Sequence, residues 1–176
     1  AEAVDNKVMP TNGFRNTVSF KYLNEMELDE EVITFEANGQ LYLKITQSPL
    51  LVLAQNIGYQ KVWGDPLFHQ FADLGNRSNL RGFRNERFRG SSAFYHNIDL
   101  RIRLIRSKNN ILPVDIGLVG GFDYGRVWLE DESSDTWHNS QTIGLWIDVL
   151  GLAVLQPYYS FNEEENLFSF RLGFNF

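Results

Sequence analysis

Asp99 and Asp123 are the two carboxylates of this chain that read as a general acid/base pair, the arrangement that works when two environments push proton affinities apart. A second set, His138 with Ser133, Ser134 and Ser140, offers a base and hydroxyl nucleophiles within one short stretch. Arg81, inside Leu80-Arg81-Gly82-Phe83, brings a planar fork of donors suited to carboxylates. His69, His96 and His138 share no metal-ligand spacing and cysteine is absent, so no metal centre, thiol chemistry or cofactor is implied. The acidic runs Asp29-Glu30-Glu31, Glu130-Asp131-Glu132 and Glu163-Glu164-Glu165 match no calcium loop and read as solvated loop tips.

Composition limits what can position these groups. The 176 residues carry a net charge of −6, which lacks the basic stripe a nucleic-acid surface needs. Aromatic residues make up 14%, Cys is absent and Pro is sparse, a mix that favours strands. No apolar run reaches the length of about 18 residues that a spanning helix requires, so a membrane reading must rest on strands. The opening Ala1-Glu2-Ala3 carries no charged-then-apolar leader.

Period-two alternation marks eight segments, at residues 13–26, 32–47, 50–63, 92–106, 112–128, 142–150, 152–161 and 167–176. In the last, Phe168, Phe170, Leu172, Phe174 and Phe176 alternate with Ser169, Arg171, Gly173 and Asn175. In the fourth, Phe94, Ile98, Leu100, Ile102 and Leu104 oppose Tyr95, Asn97, Asp99, Arg101 and Arg103, with His96 the exception on the apolar face. Connections alternate too: Ser48-Pro49 and Gly151 are short, whereas residues 64–91 and 129–141 are long. Short turns on one rim and long loops on the other describe an up-and-down transmembrane barrel. Residues 1–12 then form an N-terminal periplasmic segment and residues 13–176 the barrel domain.

Alternation by itself leaves two assignments, since a soluble ligand-binding barrel turns its apolar face inward and a membrane barrel turns it out. Parity puts Arg15, Lys21, Lys44, Arg101, Arg103 and Arg171 on one face with Glu36, Asp99, Asp123 and Asp148. Signs so mixed suit an interior ion-pair network, which burial would demand. The opposite face is nearly free of charge at strand centres, with Tyr22, Tyr59, Tyr124, Trp128 and Tyr159 nearer strand ends, as in aromatic girdles.

Leu74-Gly75, Leu80-Arg81-Gly82-Phe83-Arg84, Arg87-Phe88-Arg89-Gly90, Gly121-Phe122-Asp123-Tyr124-Gly125-Arg126-Val127-Trp128 and a terminal Phe176 occur here in an order that resembles the C-terminal half-barrel of the BamA, TamA and FhaC superfamily, the bacterial surface antigen family. The resemblance runs from Leu74 to the end; the first three strands match only as strands. It implies that the loop carrying Arg81, Gly82 and Phe83 enters the lumen, where Arg81 meets Asp99 and Asp123, with Gly125 in the second motif. On that footing the acid pair is an ion-pair partner rather than a proton shuttle. Phe174 and the terminal Phe176 resemble the signal read by the barrel assembly machinery.

Typical members carry twice as many strands and preceding POTRA domains, so the chain reads either as a fragment of such a barrel or, the favoured expectation, as a minimal member, an eight-stranded barrel closed by pairing its first and last strands. The resemblance implies a non-enzymatic outer-membrane protein, monomer or homodimer, acting in protein assembly or lipid remodelling. Its surroundings would be outer-membrane lipids and lipopolysaccharide, and its partners other outer-membrane proteins. The alternatives are a lipid-modifying barrel enzyme built on His138, or a soluble ligand-binding barrel.

Overall fold

The computed structural model describes residues 1–25, 30–75, 79–107, 112–129 and 135–173. Its strands are β1 (Glu2–Val4), β2 (Gly13–Glu25), β3 (Glu30–Gln47), β4 (Leu50–Gly64), β5 (Ala72–Leu74), β6 (Phe88–Gly90), β7 (Ser92–Ser107), β8 (Val114–Trp128), β9 (His138–Val149), β10 (Ala153–Asn162) and β11 (Asn166–Leu172). Helix among the described residues is confined to one 3-10 turn at Phe68–Gln70, and no helix is long and apolar enough to cross a membrane. The chain is all-β and antiparallel, as the alternation predicts.

The count of eight strands is corrected to eleven, nine of them in one sheet ordered β1-β2-β3-β4-β7-β8-β9-β10-β11. The eight long strands fall on the eight alternating segments. The other three, β1, β5 and β6, span 3 residues each, too few to display a period.

Closure is corrected as well: among the described residues no ladder joins β2 to β11, and the sheet is open. Two physical causes act together. The edge of β2 that closure would need is partly taken by β1, through Glu2↔Arg15, Ala3↔Phe14 and Val4↔Gly13, extended by a hydrogen bond from the Asn16 N–H to the Ala1 carbonyl at 2.8 Å. The inside of the curve is also crowded: an eight-strand wall encloses only enough room for its own side chains, and here it must take in a folded loop besides.

The sheet curls with its polar face inward. At the end bearing the short turns, Val52, Val119, Trp146 and Val154 from β4, β8, β9 and β10 converge on Met9, which enters from the segment between β1 and β2. Trp146 is fully buried there and donates its indole N–H to the Leu118 carbonyl at 3.1 Å. At the other end Val32, Val62 and Ala93 pack on Ala72, Leu74, Leu80 and Phe83 of the long loop between β4 and β7. The outer face presents Val18, Phe20, Ile33, Leu43, Leu100, Ile143, Phe168 and Phe170 as exposed side chains. A continuous apolar belt of that extent marks a surface that meets lipid or another protein.

Candidate functional site

Asp99 and Asp123 sit on adjacent strands, β7 and β8, at positions whose parity turns them inward. Register places Asn97 opposite Asp123 and Gly121 opposite Asp99. Both carboxylates are 0% exposed and Arg81 is 1% exposed. Arg81 Nε donates to Asp123 Oδ2 at 2.7 Å, Nη2 donates to the other oxygen of that carboxylate, and the Arg81 backbone N–H reaches Oδ2 at 3.1 Å. The same Nη2 lies 2.7 Å from Asp99 Oδ1. Asp99 in turn stands 3.5 Å from Arg101 Nη2, and the Arg101 guanidinium lies 5.8 Å from the Tyr42 ring centroid. Burial of these charges is tolerable because each carboxylate meets a guanidinium.

The space for this arrangement comes from Gly121, where a Cβ would stand 2.7 Å from both Arg81 Nη2 and Asp99 Oδ1. Gly125 does a different job: a Cβ there would meet the Phe94 carbonyl on β7 at 2.8 Å and Leu74 Cδ1 at 3.0 Å, so it lies against the neighbouring strand and the loop's descending arm and not beneath Arg81. Gly82 turns the loop with φ 88° and brings its backbone against the far wall, its carbonyl accepting from Asn162 Nδ2 at 2.6 Å on β10. Phe83 is buried beside Phe88, ring centroids 5.2 Å apart. Arg81, Gly82, Phe83, Asp99 and Asp123 are therefore brought together, while Phe174 and Phe176 lie outside the described residues.

Sequence reasoning missed an amide ladder that holds the loop from its other side. Asn38 donates to Asn56 at 2.7 Å, Asn56 to Asn97 at 2.8 Å, and Asn97 to the Asn79 carbonyl at 2.6 Å. Asn38, Asn56 and Asn97 occupy inward positions on β3, β4 and β7, and their common parity was the available signal; Asn79 stands on the long loop. A polar hollow of about 250 Å³ adjoins the ladder, lined by Ser19, Glu36, Gln60, Asp73 and Tyr95. Burial pushes the Asp73 carboxyl up, with Glu86 adding to it.

The run Glu163-Glu164-Glu165 is corrected from a solvated tip to a clamp. Glu163 meets His138 Nδ1 at 2.9 Å, Glu164 meets Arg87 at 2.8 Å and Glu165 meets Arg84 at 2.8 Å. His138 also stacks on Phe88 at 3.6 Å between centroids, so the one candidate base is occupied by the loop. Ser140 is fully buried, Ser133 and Ser134 lie outside the described residues, and among those residues no cluster of potential metal ligands is found. Of the other acidic runs, residues 130–132 and 29 are likewise outside.

What this geometry can do is hold a loop across the mouth of a curled sheet, with charge neutralised at its centre and an ion-pair clamp at its tip. The family model described as the Omp85 superfamily domain matches residues 2–176. The match bears out the resemblance drawn from the motifs after Leu74 and extends it over the first strands, where only the pattern of alternation was legible. No curated protein matches.

Proposed function

The chain belongs to the Omp85 superfamily, and from that membership we propose that it is a non-enzymatic outer-membrane protein that assists protein assembly or lipid remodelling at the two edges of its sheet that lack a full strand partner among the described residues. Members of this superfamily are outer-membrane proteins, and the apolar belt on the outer face suits that location. The observation that carries the proposal is the open seam. Among the described residues β10 is the only strand neighbour of β11, and β2 beyond Asn16 has only β3.

An open edge in hydrocarbon leaves a row of amide donors and acceptors without water, at a cost of several kcal/mol for each unsatisfied group. Such an edge either recruits a strand from a neighbouring chain or draws water and head groups inward, thinning the bilayer beside it. Either response is useful to assembly. Among the described residues Met9 and its neighbours fill one end of the interior and residues 79–83 the other, which speaks against passage of a polypeptide through it. No chemical step is assigned, because His138 is engaged by Glu163 and Phe88.

The test is reconstitution of the purified protein in liposomes. Insertion of an unfolded second barrel, and exchange of labelled lipid between vesicles, should both run faster than in empty liposomes. If neither changes, the assembly role is abandoned for a structural or adhesive one. Cross-linking in the same vesicles shows whether a second copy of this chain covers the seam.

A further inference from the structure

The outer wall carries a hollow that the seam does not explain. On β8 the outward side chains run Gly120, Phe122, Tyr124, Arg126 and Trp128 from the middle of the sheet toward the long-loop end. Register sets Leu100 and Ile143 on either side of Gly120. A Cβ at Gly120 would meet nothing within 4 Å, and the missing side chain leaves an open hollow of about 670 Å³ lined by Ile98, Leu100, Phe122, Ile143 and Phe161.

Polar groups fringe this hollow toward the long-loop end. Gln141 pairs in register with Phe122 and Phe161, facing out at the hollow's rim. Beyond it, His96 joins Tyr124 through Nδ1 at 3.0 Å and Gln55 through Nε2 at 3.3 Å, and Asn139 stands opposite Tyr124 in register. Amide and imidazole groups on a lipid-facing wall are costly unless partners reach them. One step further out, Arg126 lies 4.8 Å from the Trp128 ring and 5.8 Å from the Trp137 ring, and 3.0 Å from Asp135, whose side chain is 93% exposed.

Tail space, then hydrogen-bonding groups, then a cation among tryptophans is the order of polarity along a lipid from acyl chain to phosphate. We propose that this wall binds one phosphorylated lipid of the lipid A class, an acyl chain filling the Gly120 hollow, its hydroxyl and amide groups meeting Gln141 and Asn139, and its phosphate meeting Arg126. Donors and acceptors stand together at the rim, which suits hydroxyl and amide groups better than the acceptor-only esters of a glycerophospholipid. The exposed Asp135 is the partner that the phosphate displaces. The inference rests on the reading of the outer face as lipid-facing, and not on any assembly activity at the seam.

The test uses the full chain purified in detergent, presented with lipid A or with phosphatidylglycerol, and read by native mass spectrometry for retained lipid. The wild-type protein should keep one lipid A. Gly120→Leu, which fills open space, and Gln141→Leu should each keep it about tenfold less well, while Ala153→Leu, elsewhere on the outer face, should match the wild type. Equal retention of phosphatidylglycerol, or undiminished lipid A on Gly120→Leu, overturns the site. Flotation of the same preparations with vesicles separates the two failures. Protein that floats but does not select lipid A loses only the site; protein that does not float loses the lipid-facing reading as well.

Discussion

Arg81 grips Asp123 three times, through Nε at 2.7 Å, through Nη2, and through its own backbone N–H at 3.1 Å, although the two residues are 42 positions apart in the chain. The loop's backbone and its charge are thus fixed by one carboxylate. Arg81→Ala would leave Asp99 and Asp123 both buried with their main counter-charge removed, a loss expected at about 3–5 kcal/mol. Arg81→Lys should recover less than half of that, because an ammonium cannot present the fork. Urea unfolding followed by tryptophan emission measures both, and a wild-type midpoint for Arg81→Ala would refute the loop's dependence on this pair.

Adjacent glycines on β8 should respond in opposite ways. Gly121→Ala places a Cβ within 2.7 Å of Arg81 Nη2 and Asp99 Oδ1, and overpacking of this kind costs ~1–3 kcal/mol. Gly120→Ala meets open space and should be neutral or stabilising by up to about 1 kcal/mol through loss of chain entropy in the unfolded state. Parallel denaturation of the two variants decides it; equal effects would mean that the inward and outward faces of β8 have been misassigned.

Arg84 has 77% of its side chain accessible and Arg87 half of its own, so these pairs of the loop-tip clamp add little to stability and are weakened by salt. Replacing Glu163, Glu164 and Glu165 together with Gln should leave the unfolding midpoint nearly unchanged. It should nonetheless speed tryptic cleavage after Arg84 and Arg87, and raised salt should reproduce the effect in the wild type. Cleavage at the wild-type rate in the triple variant would show that the buried part of the loop alone holds the tip.

Acid should release the N-terminal segment first. The Arg15 side chain hydrogen-bonded to Glu2 holds that carboxyl below its ordinary value. Burial opposes ionisation of Asp5, but the Thr11 hydroxyl and the N–H groups of Thr11, Asn12 and Asn6 outweigh it and hold Asp5 low as well. A group depressed in the folded state lends its stability in full above the unfolded carboxylate value and loses it as pH falls through the folded value. Protection of the Asn12 and Asn16 amides from hydrogen exchange, taken relative to the intrinsic rate at each pH, should therefore fall below the ordinary carboxylate range, and Asp5→Asn should flatten the dependence at Asn12. A pH-independent protection factor at Asn12 in the wild type would rule this out.

Alternation along the chain determined the eight long strands and which side chains share a face, because a strand's period of two is local and survives any arrangement of its neighbours. That is why Asp99, Asp123, Arg101 and Arg171 could be put on one face; the resemblance to the family rested separately on the order of the motifs from Leu74 onward. Contacts between distant segments left no such trace: the Met9 plug, the ladder from Asn38 to Asn79, and the pairing of Arg84 with Glu165, 81 positions away. Openness of the sheet was the furthest from view. Whether eight strands close depends on what their interior must hold and on which edge is already taken, and both are properties of the assembled volume rather than of any one strand.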